Sequence, residues 1–115
     1  MDKQAIVLGF VDTWLPRLFL SGWNIDIKIK GGLCPDDKTI EAEIDVDLKY
    51  RRAELSIFSI FWKRDTLEQE QIIVHELVHI PLWRLDPYLG EASKDSVEEV
   101  IQTLAMAFYN AYRDG

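Results

Sequence analysis

The sequence predicts an α+β domain: an N-terminal helix, a three-stranded β-meander, a helix carrying a histidine pair, and a C-terminal helix that begins with glutamates. Three observations predict it. Apolar residues recur at helical spacing in 3–20, alternate with polar ones through most of 23–62, and return to helical spacing after Asp65. No repeat, low-complexity tract or linker divides the chain, so its 115 residues read as one domain.

In the first helix Ile6, Val7, Phe10, Val11, Trp14, Leu15 and Leu18 share an apolar side. Pro16 predicts a kink or a second short turn, and Ser21-Gly22 a stop. Trp23, Ile25, Ile27 and Ile29 then alternate with Asn24, Asp26, Lys28 and Lys30, which is the pattern of a half-buried strand. Loop residues Gly31-Gly32 and Pro35-Asp36-Asp37 follow. A second alternating run sets Ile40, Ala42, Ile44, Val46 and Leu48 against Glu41, Glu43, Asp45, Asp47 and Lys49. As a hairpin, these strands would bring Lys28 and Lys30 opposite part of that acidic row. Residues 53–62 give a third strand, with Leu55 and Ile57 on one face and Phe58, Ile60 and Trp62 on the other.

Asp65 is the predicted N-cap of the next helix, with Glu68 at capping-box spacing. That helix should run from Thr66 to about Ile80, with Pro81 at its last turn. After a loop containing Asp86-Pro87 and Gly90, a final helix from about Asp95 buries Val97, Val100, Ile101, Leu104, Ala105, Phe108 and Tyr112.

The formal net charge is −7, so neither nucleic acid nor an anionic membrane surface is an expected partner. No apolar run is long enough to span a bilayer, and Asp2 and Asp12 do not fit a secretory signal. Cys34, the single cysteine, cannot form an internal disulfide. The expected compartment is the cytoplasm. The oligomeric state is left open.

The decisive feature is His75-Glu76-Leu77-Val78-His79, an H-E-x-x-H within a predicted helix. Residues four apart stand one above the other on a helix, so both imidazoles can reach one metal ion. Zinc is the expected ion, over magnesium because imidazole suits it and over copper only on availability. Glu76 is the candidate catalytic residue, a carboxylate able to take a proton from a metal-bound water. A pair of core histidines is the alternative. Against it, both histidines of the chain fall in the motif, on the one polar stripe of a helix otherwise apolar. The third ligand cannot be histidine, and Leu82 stands where the longer metzincin motif has glycine. A carboxylate remains, and the last helix offers Glu98 and Glu99.

With Glu98 following on a helix that continues Val100, Ile101, Leu104 and Ala105, the motif resembles the gluzincin metallopeptidases. The size is similar to that of their smallest members, the minigluzincins and the short H-E-x-x-H proteins of bacteriophages and prophages. Tyr50-Arg51-Arg52-Ala53 running into a strand resembles the phage group as well. The likeness covers roughly 23–112 as an order of elements, and only H-E-x-x-H is highly specific. It implies a small sheet backed by helices, an active-site helix at 66–80 and a glutamate helix at 95–112. It also implies that an edge strand, taken as 53–62, pairs with an extended peptide. Minigluzincins can be latent, so the resemblance fits two functions. One is a zinc peptidase acting on a peptide or protein substrate. The other is a zinc-containing, non-catalytic or latent peptide-binding regulator of phage or prophage origin, working in the host cytoplasm.

A helical wheel chooses between the glutamates. With Val97 at zero and about 100° per residue, Glu98 falls at roughly 100°, beside Ile101 and Ala105, while Glu99 falls at roughly 200°, toward solvent. The predicted ligand set is therefore His75, His79 and Glu98, with Asp86, Glu91 and Asp95 in reserve. Cys34 reads as a bystander and Tyr88 as a packing or surface residue rather than an oxyanion donor. For the row Glu41, Glu43, Asp45, Asp47 the readings are binding of basic peptides, a calcium site or a solvated strand face; the last is preferred, because the spacing lacks the loop geometry calcium needs. Trp14 and Trp23 read as core; Trp62 and Trp83 flank the histidine helix and should line its cleft.

Overall fold

The computed structural model describes residues 2–83 and 94–114. It is an α+β fold with helices α1 (Lys3–Arg17), α2 (Thr66–Leu82) and α3 (Lys94–Asp114) around strands β1 (Asn24–Ile29), β2 (Ala42–Asp47) and β3 (Arg52–Ile57). No described helix is long and apolar enough to cross a membrane.

The sheet is not a meander. Its order is β1-β3-β2, with β3 in the middle, parallel to β1 and antiparallel to β2. β2 and β3 form the hairpin, closed by a turn in which Asp47 Oδ1 accepts from the amides of Lys49 and Tyr50 and Arg51 sits at φ 51°. β1 reaches the far side of β3 because the connection 30–41 passes over the end of that strand. Three backbone bonds pin the crossing: Lys30 N–H donates to Ile57 O, Ser59 N–H to Gly32 O, and Phe58 N–H to Glu41 O. A connection this long exceeds the two to five residues typical of a hairpin. Lys28 therefore lies level with Ser56 of β3, not opposite the acidic row, and its ion pair is with Asp26 on its own strand.

The third run is also shorter than its composition suggests. β3 stops at Ile57, and Ser59–Lys63 form a 3-10 helix. Phe58 and Phe61, both buried, are three residues apart, the repeat of a 3-10 turn and not of a strand.

One face of the sheet is buried. Ile27, Leu55 and Ile44 lie abreast across the three strands, as do Ile29, Ile57 and Ala42. α1 packs on β1 and α2 on β2, and the helices touch each other over this face, burying Val7, Val11, Ile73, Val74 and Leu77 between them. Trp14 joins all three helices. Its indole Nε1–H donates to Glu70 Oε2 at 2.8 Å, and its ring stacks on Tyr109 of α3 with centroids 5.9 Å apart. This contact helps set the rotation of α3 against α2.

Helix ends follow the sequence signals in one case and depart from them in the other. Asp65 caps α2 through Oδ1, which accepts from Glu68 N–H at 2.8 Å. Pro81 lies inside the last turn. Asp65→Ala should lower stability by about 1 kcal/mol, read by urea denaturation. α1 ends at Arg17, earlier than Ser21-Gly22. Phe19 N–H donates to Pro16 O and Leu20 N–H to Leu15 O, a Schellman closure with Phe19 at φ 60° in place of the usual glycine.

Candidate metal centre

The histidine helix is buried on almost every side, by Ile73, Val74, Leu77, Val78 and Ile80. His75 and His79 are half-buried one turn apart, with ring centroids separated by 5.3 Å. α3 crosses this turn and sets the Glu98 carboxylate between the rings. Oε2 lies 3.0 Å from His75 Nε2, and Oε1 lies 3.2 Å from His79 Nε2. One ligand atom from each of the three residues falls within 4.8 Å of the others, a group able to hold a metal ion.

The donor chemistry of the group fits a metal ion. Gln102, one turn after Glu98, places its Oε1 2.6 Å from His75 Nδ1. When Nδ1–H donates to this oxygen, Nε2 of the neutral ring carries a lone pair, and that lone pair faces the Glu98 oxygen. Two acceptors facing each other need a cation between them, either a proton on the imidazole or a metal. Donors around a tetrahedral zinc, with bonds of about 2.0–2.1 Å, lie about 3.3 Å apart, near the spacing of each histidine from its Glu98 oxygen. Gln102 thus holds the His75 ring through Nδ1, leaving Nε2 toward Glu98. Gln102→Leu should weaken zinc affinity about tenfold or more in a competition titration. In the same assay Glu98→Gln should lower affinity severalfold or more, and Glu99→Gln should leave it unchanged.

Glu76 lines the same cleft as this group but is buried, with only 8% of its surface exposed. Its Oε2 is buried and has no hydrogen-bond partner among the described residues. Burial, then the charges of Glu98 and Glu43, push its carboxyl well above the usual carboxylate range. A buried polar atom without a partner is rare and calls for a ligand, water or ion.

All four residues line an open cleft of about 880 Å³. Its other wall is β2, with Ala42, Glu43 and Ile44 on the lining. The edge strand at the site is therefore β2 and not 53–62, because β3 is enclosed by strands on both sides. Phe58 N–H bonds to Glu41 O, so the alternation of an antiparallel ladder turns the main-chain groups of Ala42 and Ile44 away from β3, to the open edge. Arg64 closes one side through ion pairs to Glu41 at 2.8 Å and Glu68 at 3.5 Å.

The predicted residues His75, Glu76, His79 and Glu98 are thus together, and Glu99 is exposed. Trp83 lines the cleft, but Trp62 does not; it packs against Phe61 beneath Lys3. Trp14 is buried as expected and Trp23 half-buried. Cys34 is buried in the 30–41 connection, outside the ligand group. Glu43, Asp45 and Asp47 are exposed, as a solvated row should be, whereas Glu41 is held by Arg64. Asp86, Tyr88 and Glu91 lie outside the described residues, as does the side chain of Asp95. Gln102 was missed, although its i+4 spacing from Glu98 puts both on one helix face. Comparison of the chain with protein-family models, with curated proteins and with solved structures gives no match.

Proposed function

We propose that this chain is a zinc-dependent peptidase, with His75, His79 and Glu98 as metal ligands and Glu76 as general base. The observation that carries the proposal is the convergence of two imidazoles and a carboxylate beside a buried, unpartnered carboxyl, on the wall of a cleft with an open strand edge. Zinc supplies Lewis acidity toward a carbonyl oxygen and makes water a stronger acid.

The chain's own residues do the rest. Main-chain groups of Ala42 and Ile44 bind an extended peptide as an added strand. Glu76 takes a proton from the attacking water and delivers it to the departing amine nitrogen. Its raised proton affinity suits that work, because an ordinary carboxylate is a weak base near neutral pH. Gln102 keeps His75 in the metal-binding tautomer. The working compartment is the cytoplasm, that of the host if the chain is phage-encoded; its lone cysteine requires no oxidising environment.

Incubation of the zinc-loaded protein with a diverse peptide library tests the reading. Cleavage should appear, vanish with a chelator and return with zinc. Peptides bound on β2 but left intact under all conditions would make the chain a capture module instead.

A further inference from the structure

The cleft is charged with one sign. Among the described residues lining it, Arg64 is the only lysine or arginine, and Glu41 and Glu68 already share its charge. Asp37 and Glu43 line the same cleft and form no ion pair with any described cation. A divalent ion does not reverse the balance: with Arg64 it supplies three positive charges, against the five lining carboxylates Asp37, Glu41, Glu43, Glu68 and Glu98, Glu76 left aside.

Glu43 holds a particular place among these. It lies on β2 between Ala42 and Ile44, whose main-chain groups face the open edge. A chain added at that edge directs alternate side chains to the sheet face that carries Glu43. The nearest of them stands about 4.5–5.5 Å away between Cβ atoms, where opposite charges attract. A separate observation marks the same cleft as a ligand site: the buried Glu76 Oε2, with no partner of its own.

We infer that the cleft takes an extended basic segment of peptide or protein, with a lysine or arginine side chain paired to Glu43, which sets the preference. This rests on the reading of the cleft as a peptide site. The inference is tested by calorimetry on zinc-loaded E76Q protein, which leaves peptides intact. Two matched extended peptides are titrated, one with lysine and one with glutamate at alternate positions.

The lysine peptide should bind roughly fivefold more tightly or better at low salt. Glu43→Lys should abolish or reverse that ratio. Asp12→Lys, the same charge change on an exposed position of α1 outside the cleft, should preserve it. Equal affinities, no binding of either peptide, or an Asp12→Lys effect as large as that of Glu43→Lys would overturn the inference. The two readings fail separately. Basic preference in binding without hydrolysis by the wild type removes the peptidase and keeps the charge selection. Hydrolysis without charge preference does the reverse.

Discussion

If the chain is the zinc peptidase proposed, Glu76→Gln should leave zinc bound and lower peptide hydrolysis on the order of a hundredfold or more. The amide keeps the shape of the side chain and its place in the packing, but it cannot accept a proton from water. Zinc content, measured by metal analysis, should match the wild type because Glu76 is outside the ligand group. The melting temperature should not fall, since the substitution removes a buried carboxyl whose Oε2 has no partner. Loss of activity with zinc and stability intact isolates proton transfer as the missing function. A Gln variant with wild-type turnover would remove Glu76 from the mechanism.

His75→Ala and His79→Ala act on a different quantity. Each removes one of the three proposed ligands, so each should abolish stoichiometric zinc binding and, with it, the stabilisation that zinc would confer. That stabilisation is about 2.7 kcal/mol when free zinc is a hundred times its Kd, and about 4.1 kcal/mol at a thousand times. Thermal melts with and without zinc measure it directly. The wild type should shift upward with zinc and both variants should stay at their metal-free values. Comparing the metal-free melts separates ligand loss from lost packing. Wild-type zinc content in both variants would remove the histidines from the centre.

The parts of the fold legible in the sequence are those written in local chemistry. Asp65 and Glu68 mark the start of α2 because a cap is a contact between near neighbours. His75 and His79 are legible as a pair because their separation is one helical turn. Sheet order is not local. Alternation in β1 and β2 tells which face is buried and says nothing about which strand lies alongside. One feature did carry the order: the length of the 30–41 connection, too long for a hairpin.

The C-terminal helix shows how phase decides a site. Placing Val97 at the centre of the buried stripe left Glu98 on its border. Ile101, Ala105 and Tyr109 are the buried residues, whereas Val100, Leu104 and Tyr112 are exposed. The stripe is thus rotated toward Glu98, which at about 100° falls within the arc of these residues, while Gln102 at about 140° lies just beyond it. Trp14, from the opposite end of the sequence, stacks on Tyr109, a contact that no local pattern in either helix announces.

Anomalous diffraction from crystals grown with zinc, with data above and below the zinc absorption edge, tests the metal centre most directly. The account predicts one strong anomalous peak within bonding distance of His75 Nε2, His79 Nε2 and the Glu98 carboxylate, with Gln102 still on His75 Nδ1. A zinc peak elsewhere, or ligated without Glu98, would contradict it.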